Sequence, residues 1–100
     1  MIQTMEMVNN QMQVILAGNV FVEEAKKIKE VLNELIIKGQ KSILIDLTQV
    51  DYIECVGMGM LVSVQKKALQ IGGGIKIKGI QRLLKKQFEL NYMVKAFEIL

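Results

Sequence analysis

The chain has no histidine, no proline and no tryptophan, and it has a single cysteine. Without histidine it lacks the commonest general base and the commonest metal ligand. One thiol, Cys55, can form neither an intramolecular disulfide nor a thiolate cluster for zinc. An unpaired thiol with no secretory signal ahead of it points to a reducing compartment, so a cytoplasmic protein is expected. Long apolar runs are missing as well. The longest uncharged stretch, residues 7–22, contains Asn9, Asn10, Gln11, Gln13 and Asn19 and is unsuited to crossing a bilayer. Asp46, Asp51 and Glu54 lie close in sequence, but no nucleophile with an obvious base accompanies them. A structural or interface role fits these acids better than catalysis. No enzyme activity, metal or cofactor is therefore expected.

What is present fits one domain. A length of 100 residues, about half of them apolar, allows one compact core. The net charge of +3 is unevenly placed. Residues 1–59 hold five lysines against eight acids, a balance of −3; residues 60–100 hold seven lysines and Arg82 against two acids, a balance of +6. A basic half can face nucleic acid, but a solvated lysine-rich face is the commoner outcome and is preferred here.

Residues 2–8 and 13–17 read as strands joined at Asn9-Asn10, a pair that tolerates the positive φ of a tight hairpin. From residue 22 to 38 the period becomes helical, with Ala25, Ile28, Leu32, Leu35 and Ile36 on one face and Gly39 as the stop. "SILIDL", 42–47, reads as a buried strand. A second helix is predicted from Gly57 to about Gln70, with Met60, Leu61, Val64, Ala68 and Leu69 inward. Gly72-Gly73-Gly74 follows a helix and precedes a strand, the wrong order for a phosphate loop, and reads as a stop and turn. "IKIK", 75–78, alternates as a strand. A third helix at about 80–90 would point Leu83, Leu84 and Phe88 inward, and "KAFEIL" closes as a strand or short helix. This order implies an α/β fold: a mixed sheet of about four or five strands with helices mainly on one face.

The segment "IECVGMGML", 53–61, stands out. Two glycines sit at a helix start, and Val56 occupies a spot where Ser, Thr, Asp or Asn would be natural as a cap. The glycines either expose backbone N–H groups of residues 57–59 to an anion or allow helix and sheet to pack closely. The residues themselves leave both readings open.

The stretch "ILIDLTQVDYIECVGMGMLVSVQKKALQIGGGIKIKGI" resembles the STAS domain of bacterial anti-sigma factor antagonists. That family typically reads D-L-S/T-x-V-x-x-I-D-S-S-G-L-G, then a helix, G-G and a strand. Asp46, Leu47, Thr48, Val50, Ile53, Gly57 and Gly59 match; Glu54 replaces the usual aspartate and Met58 the usual leucine. Upstream, Gly18 and "EEAKKIKEVLNELI" look like the family's G-x-L-D turn and first helix, and downstream "IQRLLKKQFEL" looks like its last. The likeness covers nearly the whole chain, so a single STAS domain over residues 1–100 is expected.

The resemblance implies a non-enzymatic regulator that works by partner switching, binding a kinase-type anti-sigma factor through Phe21, Glu54, Cys55, Val56, Gly57, Met58 and Gly59. In the family a serine at the helix start is phosphorylated, and the added charge breaks the complex. Here Val56 takes that position and Cys55 the preceding serine, while Phe21 replaces the aspartate of the G-x-L-D turn. Valine has no hydroxyl, so the usual off-switch is expected to be absent. Thr48 and Ser63 are nearby hydroxyls, and neither is favoured as a substitute. The alternative reading is a STAS scaffold or small-ligand sensor in a larger signalling assembly.

Overall fold

The computed structural model describes residues 1–91 and 95–100. Its elements run β1 (Ile2–Val8), β2 (Gln11–Ala17), α1 (Val22–Ile37), β3 (Ser42–Gln49), α2 (Cys55–Gln70), β4 (Gly74–Lys78), α3 (Arg82–Leu90) and β5 (Glu98–Ile99). The five strands form one sheet in the order β1-β2-β3-β4-β5. β1 and β2 are antiparallel and the remaining neighbours are parallel, because each later pair is separated by a helix. The expected mixed α/β architecture is the one observed.

Local chemistry explains the turns. Asn9 and Asn10 both take positive φ, 52° and 67°, the backbone state that a two-residue hairpin demands. Gly39 has φ 87° and ends α1, with its N–H donating to the Ile36 carbonyl and that of Gln40 to the Leu35 carbonyl.

Register fixes the two faces of the sheet. Val14 pairs with Ile45 and Ile45 with Ile77; Ile43 pairs with Ile75. With Leu16 and Leu47 these side chains are fully buried, and they join the helical residues Ile28, Leu32, Leu61, Val64, Leu84 and Phe88 in one core. The opposite face carries Glu6, Gln13, Leu44, Lys76 and Glu98 in a single cross-strand row. Leu44 is buried within that row but stands outside the core cluster, so the helices cover one face and leave the other polar. Lys76 and Glu98 make an ion pair there at 3.2 Å.

Among the described residues, Gln65 alone is a buried polar side chain, packed into the core from α2. Its amide donates to the carbonyls of Ile75 and Ala96, and its oxygen accepts from the Ile75 N–H at 2.7 Å. One side chain on α2 thus ties the start of β4 to the segment before β5. An unmet buried amide would cost roughly 1–3 kcal/mol, and here every polar atom of the group is used.

Two inward assignments are corrected. Leu83 is 76% exposed and Leu69 is 57% exposed. On α3 the stripe consists of Leu84 and Phe88, an i, i+4 pair, and Phe88 meets Phe97 with ring centroids 6.5 Å apart. Leu83 lies about 100° around the helix from Leu84, which turns it to solvent. Likewise Leu61, Val64 and Ala68 define the inward line of α2, and Leu69 falls off its edge. Phe88→Ala is therefore expected to lower the unfolding free energy by about 3–5 kcal/mol. Leu83→Gln should change it by less than about 0.5 kcal/mol. Urea denaturation of the two variants checks this difference.

Candidate functional site

The site is built where two loops leave the carboxyl ends of β2 and β3. The loops are zipped by backbone hydrogen bonds. Gly18 donates to Gln49, Val20 to Tyr52, and Glu54 to Val20, all at 2.9–3.0 Å. Val20 and Ile53 form an isolated parallel bridge, and both side chains are buried. This short ladder prolongs the β2–β3 pairing beyond the sheet and sets the starts of α1 and α2 side by side.

Upstream of the ladder, the Asp46-Leu47-Thr48 end of β3 is locked by its own side chains. Asp46 accepts hydrogen bonds from both the N–H and the hydroxyl of Thr48. Gln81, just before α3, donates to the Thr48 carbonyl. Gln87 on α3 donates to the carbonyl of Ile53. These contacts brace the end of β3 and the loop that follows it, and Asp46 has a structural role there.

Helix α2 begins at Cys55, two residues earlier than the glycine pattern predicts. The N-cap is Glu54, with extended backbone, and its side chain makes no capping hydrogen bond. Val56 is consequently a first-turn residue and holds no capping position, so the expected loss of a cap at residue 56 is corrected. The pattern misleads because glycine is a poor helix former that here sits inside the first turn for a packing reason.

That reason is visible at Gly57. A Cβ built there would lie 2.6 Å from Ile53 Cγ2 and 3.3 Å from Val20 Cγ1. Ile53 and Val20 are both β-branched and buried, with little freedom to give way. Gly57 thus answers to close packing of α2 on the ladder. At Gly59 a Cβ would meet nothing within 4 Å. The triple glycine behaves similarly: Gly73 packs on the backbone of Lys41, where a side chain would collide, which agrees with a structural turn.

The predicted site residues separate into two groups. Phe21, Val56, Cys55 and Gly59 are exposed, with Val56 at 52% and Phe21 at 49%, and Glu54 is partly so. Gly57 and Met58 are buried. Met58 belongs to the core, so its side chain is withdrawn from the exposed surface that was expected to include it. Phe21 is the N-cap of α1 and has no acceptor of its own; the Glu24 carboxylate accepts its N–H at 3.1 Å. The missed member is Tyr52. Its ring lies 6.1 Å from that of Phe21 and it is 42% exposed. The signal for it was its place next to Ile53: once Ile53 points inward along extended chain, Tyr52 points out.

A shallow groove of about 280 Å³ runs from Val56 between α1 and α2, lined by Ala25, Lys26, Lys29, Gly59, Met60 and Ser63. Phe21 is not among its lining residues. Among the described residues, no cluster of three or more metal-ligating side chains occurs, and no helix is long and apolar enough to cross a membrane.

A family model for the STAS domain matches residues 3–99, and the chain belongs to that family. The anti-sigma-B factor antagonist of Listeria monocytogenes is 28% identical over 98 residues, covering 98% of this chain and 86% of that one. An anti-sigma factor antagonist from Mycobacterium paratuberculosis has the same fold, with a TM-score of 0.85 at 17% identity over 96% of this chain and 81% of that one. SpoIIAA of Bacillus, an anti-sigma factor antagonist solved in unphosphorylated and phosphorylated forms, superposes with a TM-score of 0.79 for the unphosphorylated form. It is 14% identical, over 97% of this chain and 86% of that one.

Two glycine variants test the geometry of the α2 start. Gly57→Ala should destabilise the fold by about 1–3 kcal/mol, because the added methyl overpacks the ladder. Gly59→Ala should stabilise it by about 0.5–1 kcal/mol, because the site is open and alanine favours a helix. Thermal unfolding of both proteins measures the two signs.

Proposed function

We propose that this chain is an anti-sigma factor antagonist-like regulator that binds a kinase-type anti-sigma factor through the exposed tip formed by Phe21, Tyr52, Val56, Cys55, Glu54 and Gly59. Binding frees a sigma factor by partner switching. The observation that carries this reading is the exposure of Val56, 52% open in the first turn of α2. The resemblance implies that Val56 stands at the family's phosphorylated position, and an exposed side chain there supports docking of a partner.

Docking and covalent control come apart at this tip. A phosphoryl group would bring nearly two negative charges to a surface that must be buried. Valine offers no oxygen to receive it. Phe21, Tyr52 and Val56 present apolar area, and aromatic anchors of this kind contribute strongly when a partner removes them from water. Recognition therefore rests on burial and shape, with affinity that ATP and the kinase do not reverse. The lysines at the groove beside Val56, Lys26 and Lys29, favour an acidic neighbour on the partner.

The test is calorimetric titration of the chain with a kinase-type anti-sigma factor, with and without ATP. A complex whose affinity is unchanged after incubation with ATP is expected. Phe21→Asp and Val56→Asp should each weaken it by about 2 kcal/mol or more. No complex under either condition removes the reading. Mass spectrometry of the incubated chain should find no added phosphate, Thr48 and Ser63 included, whereas Val56→Ser should gain one phosphate if the surrounding site is intact. Phosphate on the unaltered chain would contradict the loss of the switch.

A further inference from the structure

The two edges of the sheet differ sharply. On one side β5 is two residues long, too short to template another strand. On the other, β1 is seven residues long and pairs only through its β2 side. Natural proteins blunt such edges with lysine, proline, a short strand or a covering element. β1 has no lysine, no arginine and no proline, and its single charge is Glu6. Met5 and Met7 are both exposed along it. Methionine is a flexible apolar residue that adapts readily to a partner surface.

We propose that β1 is a self-association edge: two copies of this chain pair through antiparallel β1 strands about a two-fold axis at Met5. An edge that meets its own copy about a two-fold closes on itself and leaves no further free edge of this kind. Opposed residues must share a face of the joined sheet, so the axis passes through one residue, and three observations select Met5. An axis at Glu6 would set two carboxylates directly opposite each other, which is unfavourable. An axis at Met7 would bring Met5 against Asn9 of the partner, and Asn9 has left the strand with φ 52°. An axis at Thr4 would centre the pairing against the register shift between Ile2 and Thr4. At Met5 the regular part of the strand is used: Thr4 faces the partner's Glu6 on the polar face of the sheet, and Met5 faces the partner's Met5 on the helical side. Thr4 and Glu6 lie on the polar face because they pair with Ile15 and Gln13; Met5 lies on the helical side because it pairs with buried Val14. The strand's only charge then meets a hydroxyl, and the apolar side chains meet each other.

Sedimentation velocity of the full chain from micromolar to millimolar concentration tests this, with circular dichroism confirming that each variant is folded. The unaltered chain should pass from its monomer mass of 11.3 kDa to a dimer as concentration rises. Thr4 is exposed, so its substitutions report on the register more than on the fold. Thr4→Glu creates two like-charge pairs per dimer and should weaken association by roughly three- to tenfold. Thr4→Lys creates two opposite-charge pairs and should hold the dimer at least as tightly. Met5→Lys should weaken it by about tenfold or more, since two ammonium groups meet at the axis. A chain that stays monomeric at millimolar concentration overturns the proposal. So does a dimer that responds equally to both Thr4 substitutions, or one abolished by Leu83→Glu on α3 and indifferent to Met5→Lys.

Discussion

The close approach of two loops at the carboxyl ends of β2 and β3 is the constraint from which the rest follows. Three backbone hydrogen bonds and the Val20–Ile53 bridge hold the loops together. Gly57 is what lets α2 rest on them, because a methyl group there would press into Ile53 and Val20. Once that contact is made, the starts of α1 and α2 are fixed relative to each other. Phe21 and Tyr52 then share a tilted ring contact, and Val56 stands in the open first turn of the neighbouring helix. The surrounding braces serve the same end: Asp46 with Thr48 and Gln81 with Thr48 at the end of β3, and Gln87 with Ile53 in the loop. They hold the backbone beneath the tip in place, and a pre-ordered surface loses less conformational freedom on binding than a disordered one.

Under the proposed function, docking at this tip is separated from covalent control. The chain keeps the STAS fold over residues 3–99. Under the proposed function, Cys55 and Val56 stand where the resemblance implies serines, and Phe21, Tyr52 and Val56 expose apolar area at the tip. A surface of that composition gains from burial and has nothing to gain from a phosphate. The groove beside Val56 adds positive charge from Lys26 and Lys29, so apolar and electrostatic contributions lie next to each other. The basic residues of the second half, by contrast, lie mostly on α2, β4 and α3, away from this groove.

Much of the fold was legible because local signals agreed. The Asn-Asn hairpin, the α1 stripe ending at Gly39 and the apolar β3 run each carry their own periodicity or turn chemistry. The errors fall where tertiary contact decides. Leu83 and Leu69 are apolar in a helix, yet the inward line is chosen by neighbours that sequence does not name. The α2 start was set two residues late, because Gly57 looks like a helix boundary and is in fact a packing contact inside the first turn. Gln65 is unremarkable in sequence; its role depends on Ile75 and Ala96, which only the folded chain brings to it. Within the site, Phe21 and Val56 could be named from their departures from the family pattern. Tyr52 was signalled by its place beside inward-pointing Ile53, its contact with Phe21 is visible only in the fold, and Met58 was lost from the surface because its side chain turns into the core.

The central claim is that recognition occurs at this apolar tip and lies beyond covalent control. Amide chemical-shift mapping of the labelled chain with a kinase-type anti-sigma factor, before and after ATP is added, addresses it most directly. The account predicts perturbations concentrated at residues 18–21 and 50–56 and at the Lys26–Lys29 turn of α1, unchanged once ATP is present. Perturbations centred on α3 or on the polar face of the sheet, or a pattern that vanishes when ATP is supplied, would contradict it.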